Sequence, residues 1–388
     1  MSFSDSIAER IRHVVGDGRV TLHEPLLKGN ELAYVTECIQ TGWVSSVGSF
    51  VDRFERDLAA YTGAAHAVVV SNGTSALQIA LHLAGVRQDD EVLVPALSFV
   101  ATANAVRHNG AWPHFVDSET RTLGIDPGAL DKHLDEIGER RNGELFNRLT
   151  GRRISVVVPM HTFGHPVDMP ALNEVAVRHG LAVVEDAAES LGSLLDGRHT
   201  GNFGVCATLS FNGNKIVTTG GGGAIITNDS DLARRAKHLT TTAKQPHSWA
   251  FFHDEVAYNF RLPNLNAAMG CAQLERIGAF VDAKRELARR YQQAFEGFAG
   301  ATLFLERTGT RANYWLQTLI LSEDRAEQRD EVLQATNAAG LMTRPVWELL
   351  NTLPMYRDCP AAPLPVARDL ARRIVNIPSS PQLIPEGV

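Results

Sequence analysis

Lys215 is the residue of this 388-residue chain with the most chemistry to explain. It stands in SFNGNKIVTTGGGGAIIT (210–227), between an apolar strand and four consecutive glycines that lead into a second apolar strand. An amine held beside a buried cleft loses proton affinity and becomes a nucleophile. Four glycines cost backbone entropy and call for close approach of chain to ligand, or for a strained turn. A surface lysine in a flexible hairpin is the plain alternative. VVEDAAES (183–190) ends an apolar strand with Glu185, Asp186 and Glu189. A carboxylate there is expensive unless paired, so Asp186 is a candidate to hold a cationic ring nitrogen or a metal, or to cap a helix. SNGTSAL (71–77) joins a strand to a helix. Free N–H groups and the helix dipole favour a phosphate at that point, and an ordinary N-cap would use the same residues.

Other signals are weaker. HTFGH (161–165) places two histidines four apart, a zinc spacing on a helix. It follows a strand and contains Gly164 with Pro166 next, so a metal site is not expected and a pocket-lining His161 is. Arg261 in YNFRLPNLNAAMG (258–270) is a candidate anion contact or a solvated arginine. No G-x-S-x-G elbow occurs, and the glycine run fits neither nucleotide-loop pattern.

The elements that position these residues alternate. Strands are read at 66–71, 90–96, 112–117, 154–160 and 181–187, with helices at 73–85, 98–110, 127–139 and 169–180. Such βαβ units build a mainly parallel sheet covered on both faces, with ligands beyond the carboxyl ends of its strands. Before them lie helical patterns at 30–40 and 49–62; after them come a helical stretch at 264–298, a strand at 313–321 and a helix at 323–340 ending at Gly340. The expected division is an N-terminal helix and arm over 1–40, a large α/β domain over 41–264 and a smaller α+β domain over 265–388.

Composition sets outer limits. Hydrophobic residues make up 44% and charged residues 21%, with a net charge of −7. A large core is therefore expected, and a general nucleic-acid or membrane binder is not. No apolar run is long enough to span a bilayer, and the acid-bearing N-terminus lacks a signal-peptide core. Four scattered cysteines suggest reduced thiols in a cytoplasmic protein.

Taken in order, GWVSSVGSFVDRFE, GTSAL, PALSFVATANAV, VVPMHTFGHPVDM, VVEDAAES, LSFNGNK, GGGGAI, YNFRL and NIPSSP resemble the DegT/DnrJ/EryC1/StrS family over nearly the whole chain. The resemblance implies a fold-type I aminotransferase: an α/β large domain with a mainly parallel seven-stranded sheet between helices, and a smaller C-terminal α+β domain. It implies pyridoxal 5′-phosphate (PLP), with pyridoxamine 5′-phosphate as intermediate, acting on nucleotide-linked keto-sugars with glutamate as donor. Carried over by position, Lys215 is the Schiff-base lysine and Asp186 the partner of the ring nitrogen. Phe99 stacks on the ring, while Gly73, Thr74, Ser75 and Ser210 contact the phosphate. Asn259 is lent by a neighbouring subunit, which implies a homodimer with active sites at its interface. Trp43, Ser45, His161, Arg344 and Trp347 are the candidates to line the sugar-nucleotide groove.

Two departures matter. Glu189 stands where the family often has Gln or His, and an ionised Glu cannot donate a hydrogen bond to the ring's phenolic oxygen. GGGG replaces a common G-E-G-G; with FNGNK and an extended 130–153 segment this is most similar to the LegC-type branch, which implies amination at C4 of a UDP-linked 4-keto-6-deoxy-N-acetylhexosamine. A GDP- or dTDP-linked 3- or 4-keto-sugar is the alternative substrate. In relatives that dehydrate sugars a histidine replaces the lysine, so Lys215 argues against dehydration. A non-catalytic PLP-binding regulator is the alternative of another class.

Overall fold

The computed structural model describes residues 2–385. Three helices open the chain: α1 (Phe3–Val15), α2 (Glu31–Thr41) and α3 (Ser49–Thr62). The alternating stretch follows as β1 (His66–Val70), α4 (Gly73–Leu83), β2 (Glu91–Pro95), α5 (Val100–His108), β3 (Trp112–Val116) and α6 (Pro127–Ile137). A hairpin, β4 (Gly138–Arg141) and β5 (Glu144–Asn147), precedes β6 (Arg153–Val157), α7 (Met169–His179) and β7 (Ala182–Asp186). Then come β8 (Leu194–Leu195), β9 (Arg198–His199), β10 (Cys206–Ser210), β11 (Gly223–Thr227) and α8 (Ser230–Thr240). Helix starts follow from capping chemistry: Asn72, Asp126 and Asp168 each accept a first-turn amide, and Pro127 occupies the first turn of α6.

The sheet runs β1-β11-β10-β7-β6-β2-β3. The pairings from β10 through β7, β6 and β2 to β3 are parallel; β11 is antiparallel to both β1 and β10. This is the mainly parallel α/β sheet the pattern implied, made mixed by the antiparallel β11. Its central strands are near-continuous apolar runs because helices cover both faces. The hairpin explains the long 130–153 segment: β5 pairs antiparallel with the start of β6, at the sheet end opposite the carboxyl ends where chemistry is expected.

The rest of the chain comprises α9 (Asn264–Leu274), α10 (Ile277–Phe295), β12 (Ala301–Leu303), β13 (Thr310–Arg311), β14 (Gln317–Leu321), α11 (Arg329–Ala338), β15 (Arg344–Pro345), α12 (Pro365–Arg373) and β16 (Ile374–Ile377). A second sheet has the order β12-β14-β16-β15, and β13 pairs with β8 of the large unit.

Two expectations shift here. The helical stretch at 264–298 is two helices broken at Glu275–Arg276. The first packs Ala267, Cys271 and Leu274 against Phe50 and Phe54 of α3. Helix α1 buries Ile7 and Ile11 against Leu287, Tyr291, Leu319 and Val375 of the C-terminal unit. The strand expected at 313–321 begins only at Gln317, because Tyr314 sits at φ +49° in a turn.

Helix α3 has glycine, not a capping side chain, before its first turn. Its cap comes from 214 positions along the chain: Asn264 Oδ1 accepts the Phe50 amide at 3.1 Å, and its Nδ2 donates to the Trp43 carbonyl at 2.7 Å. A Cβ on Gly48 would lie 2.3 Å from that side chain, so the glycine makes room for the cap. Asn264→Ala is expected to destabilise the fold by about 1–2 kcal/mol, through a lost cap and stranded buried amides. Urea unfolding of the two proteins checks this.

Candidate active site

Strand β7 delivers Asp186, strand β10 delivers Ser210, and α4 begins at Gly73, all at the carboxyl edge of the large sheet. Between them lies a cavity of about 320 Å³. Lys215, Asp186, Glu189, Phe99, Trp347, Gly73, Thr74 and Ser210, all singled out in the sequence, line it.

Asp186 is 6% exposed. Its Oδ2 accepts from Thr102 Oγ1 at 2.8 Å and its Oδ1 from the Ala188 amide at 3.2 Å. Burial pushes its carboxyl above the usual range; Thr102, Ala188 and the Lys215 charge oppose this. A cation brought into the cavity would favour the ionised form.

Lys215 enters from the turn after β10, its amide bound to the Asn212 carbonyl at 3.0 Å. Its Nζ lies 3.3 Å from Glu189 Oε1 and 3.8 Å from the centre of the Trp315 ring. Glu189 is buried, and its Oε2 accepts the Phe163 amide at 2.9 Å. Burial raises the Glu189 carboxyl to about 7, against the pull of Lys215 and the Phe163 amide. Glu189 therefore changes protonation near neutrality, and its protonated form can donate a hydrogen bond.

The opposite corner is built for an anion. Asn72 Oδ1 takes the Ser75 amide at 2.8 Å, leaving the first amides of α4 directed at the cavity. A Cβ on Gly73 would stand 3.0 Å from the Ser210 Cβ. One on Gly223 would stand 2.5 Å from the Asn72 carbonyl carbon, so the end of the glycine run lets β11 press against the helix start. Ser75 itself is buried and is not part of the cavity wall.

Several expected site residues lie elsewhere. His161 is completely buried: its Nδ1 accepts the Val167 amide at 3.1 Å, so its Nε2 donates to Glu185 Oε2 at 3.0 Å. Burial alone would raise the Glu185 carboxyl, yet His161 and the amides of Gly201 and Gly204 hold it below the usual range. This pair braces the 201–204 loop and does not reach the cavity. His165 is enclosed by the rings of Phe304 and Tyr314, and burial lowers it to about 3. Arg261 pairs with Glu55 at 2.7 Å and the Val69 carbonyl at 2.8 Å, a structural clamp and no anion contact. Trp43, Ser45 and Arg344 are exposed and do not line the cavity; Asn259, expected to serve a neighbouring subunit's site, is exposed as well.

Sequence reasoning missed Thr102, Asn72 and Trp315. Thr102 and Asn72 lay inside motifs already quoted, one helical turn and one residue from the positions chosen. Trp315 was hidden by the strand reading of 313–321.

The cavity's donors fit PLP: a buried carboxylate for a cationic ring nitrogen, an amine for the aldehyde, and a glycine-lined helix start for the phosphate. Comparison with known proteins agrees. Residues 25–388 match the DegT/DnrJ/EryC1/StrS aminotransferase family. The chain is 37% identical over 363 residues to a GDP-perosamine synthase of Caulobacter vibrioides, covering 93% of each chain. It is 34% identical over 373 residues to a GDP-perosamine synthase of Vibrio cholerae, covering 95% of this chain and 96% of the other. The crystal structure of DesI with its TDP-sugar product superposes with a TM-score of 0.82 at 28% identity, covering 94% of this chain and 88% of that one. Fold and site together are those of a PLP-dependent sugar aminotransferase. The chain belongs to the DegT/DnrJ/EryC1/StrS aminotransferase family.

Glu189 gives the site a pH signature. Its raised value means the folded protein binds a proton that the unfolded chain releases between about pH 4.5 and 7. Stability from this group is complete below pH 4.5 and is lost as pH rises through 7. Without cofactor, Glu189→Gln is expected to gain stability relative to the parent protein as pH rises through that interval, read by urea midpoints across pH.

Proposed function

We propose that the chain transfers an amino group from glutamate to C4 of a nucleotide-linked 4-keto-6-deoxy sugar. The observation that carries this reading is the meeting of Lys215 and Asp186 in one cavity beside a glycine-lined helix start. Bound PLP supplies an electron-withdrawing ring that stabilises charge on the substrate carbon. In this reading Asp186 keeps the ring nitrogen protonated, and Phe99 covers one ring face. The first turn of α4 and Ser210 hold the phosphate. Lys215 Nζ, once free, carries the proton to and from the substrate carbon, help worth about 10²–10⁴-fold. Protonated Glu189, beside Lys215 in the cavity wall, would donate a hydrogen bond toward the cofactor's phenolic oxygen.

The relatives named GDP-perosamine synthase favour GDP as the nucleotide and C4 as the position. The UDP-linked N-acetylhexosamine reading rests on FNGNK, GGGG and the hairpin insertion alone. Trp347, in the cavity wall, is retained as a sugar contact. A homodimer is part of the proposal. The segment before Asn259 exposes Trp249 at 82%, Phe251 at 79% and Val256 at 96%, an apolar patch suited to a second copy. A cytoplasmic setting is supported by four unpaired cysteines, and no helix among the described residues is long and apolar enough to cross a membrane.

Glutamate added to the holoenzyme is expected to bleach the visible cofactor band, and Lys215→Ala to abolish the bleaching. A holoprotein that ignores every amino donor would instead favour the regulatory alternative. Nucleotide keto-sugars are then offered to the aminated enzyme, with product structure read by NMR. Turnover of a GDP-linked 4-keto sugar at least tenfold above its UDP-linked N-acetyl counterpart is expected; the reverse order would restore the LegC-type assignment.

A further inference from the structure

Lys284, in the middle of α10, is fully buried, and among the described residues its Nζ hydrogen-bonds to main-chain carbonyls alone. Its ammonium donates to the Trp315 carbonyl at 3.1 Å and to the Ser379 carbonyl. Helix α10, the entry to β14 and the segment after β16 are thus tied at one atom. Burial makes its charged form unusually costly, and no acid offsets this. At a position that served packing alone, an apolar side chain of similar length would do as well or better.

The contacts lead inward from there. The Trp315 indole N–H donates to the Asn214 carbonyl at 2.7 Å, one residue before Lys215, and the ring face lies 3.8 Å from Lys215 Nζ. The Trp315 amide donates to Asn313 Oδ1 at 2.8 Å, while Asn313 Nδ2 donates to the carbonyls of Glu189 and Leu191, each at 2.9 Å. Between them Tyr314 holds φ +49°, a conformation non-glycine residues keep only when surroundings enforce it. A strained turn of the smaller unit therefore binds the backbone carbonyls of both Glu189 and Asn214. Lys284 grips its outer end.

We propose that Lys284 is a positioning residue for Lys215, acting through Trp315: by holding the Trp315 carbonyl it sets the indole that fixes the 214–215 backbone and directs Nζ into the cavity. This rests on the reading of Lys215 as the cofactor-bearing lysine. Its reach extends from a buried helix of one unit to the reactive amine of the other.

The test compares holoenzymes of the parent, Lys284→Met, Trp315→Phe and the double variant. Two quantities are read: the visible circular dichroism of bound PLP, and the single-turnover rate at which glutamate bleaches its band. Lys284→Met is expected to slow bleaching about tenfold to a hundredfold, the scale of a small misplacement of a reacting group, and to change the visible dichroism. Trp315→Phe should act in the same direction, and the double variant should be no slower than the slower single. A Lys284→Met enzyme with parental rate and parental dichroism, whatever its melting temperature, overturns the proposal, as do fully additive effects. Should Lys284→Met fail to fold, Lys284→Gln, with one donor group on a shorter stem, is judged by the same two readouts. A parent holoenzyme that no amino donor bleaches would overturn the aminotransferase reading on which this rests; a normal parent with unmoved variants would overturn only the role of Lys284.

Discussion

A buried carboxylate and a half-buried amine in one cavity are the constraint on which the rest of this structure depends. Asp186 is buried and the Lys215 side chain is 12% exposed, so both charges need polar partners inside the protein. Thr102 and the Ala188 amide offset part of what burial costs the Asp186 carboxylate, and Lys215 finds Glu189 and the Trp315 ring. Each group is thus partly satisfied without being matched one-to-one. The unspent capacity is directed at the cavity, which is what a cationic ring with an aldehyde requires.

Holding these groups in place explains otherwise costly features of the chain. The glycines at 222 and 223 give up side chains so that β11 can touch Thr219 and the start of α4. Gly164 does the same for Asn313, whose side-chain oxygen would lie 1.8 Å from an added Cβ. Asn313 in turn is bound to the backbone of the Glu189 segment. The smaller unit is therefore part of the site's wall. Its 313–315 turn is as much active-site structure as the strand ends of the large sheet.

The sheet was legible because its strands are β-branched runs at βα spacing, and the helix starts because Asn72, Asp126 and Asp168 cap them. The cofactor corner was legible because lysine, aspartate and glycines in those settings violate ordinary local preference. What stayed hidden was tertiary. His161 looked like a pocket residue because it follows a strand, but Glu185 draws it to the other side of β7. Arg261 looked free until Glu55, 206 positions away, claimed it. Trp315 sits in an apolar run whose period gives no hint of the turn that Tyr314 makes. Periodicity reports burial; it does not report which wall a side chain faces.

The most direct measurement is chemical. Holoenzyme is reduced with borohydride, digested, and the pyridoxyl-bearing peptide located by mass spectrometry. The account predicts the group on the ε-nitrogen of Lys215 and on no other lysine. Recovery of the label on a different lysine, or of protein without label after full reconstitution, would contradict it.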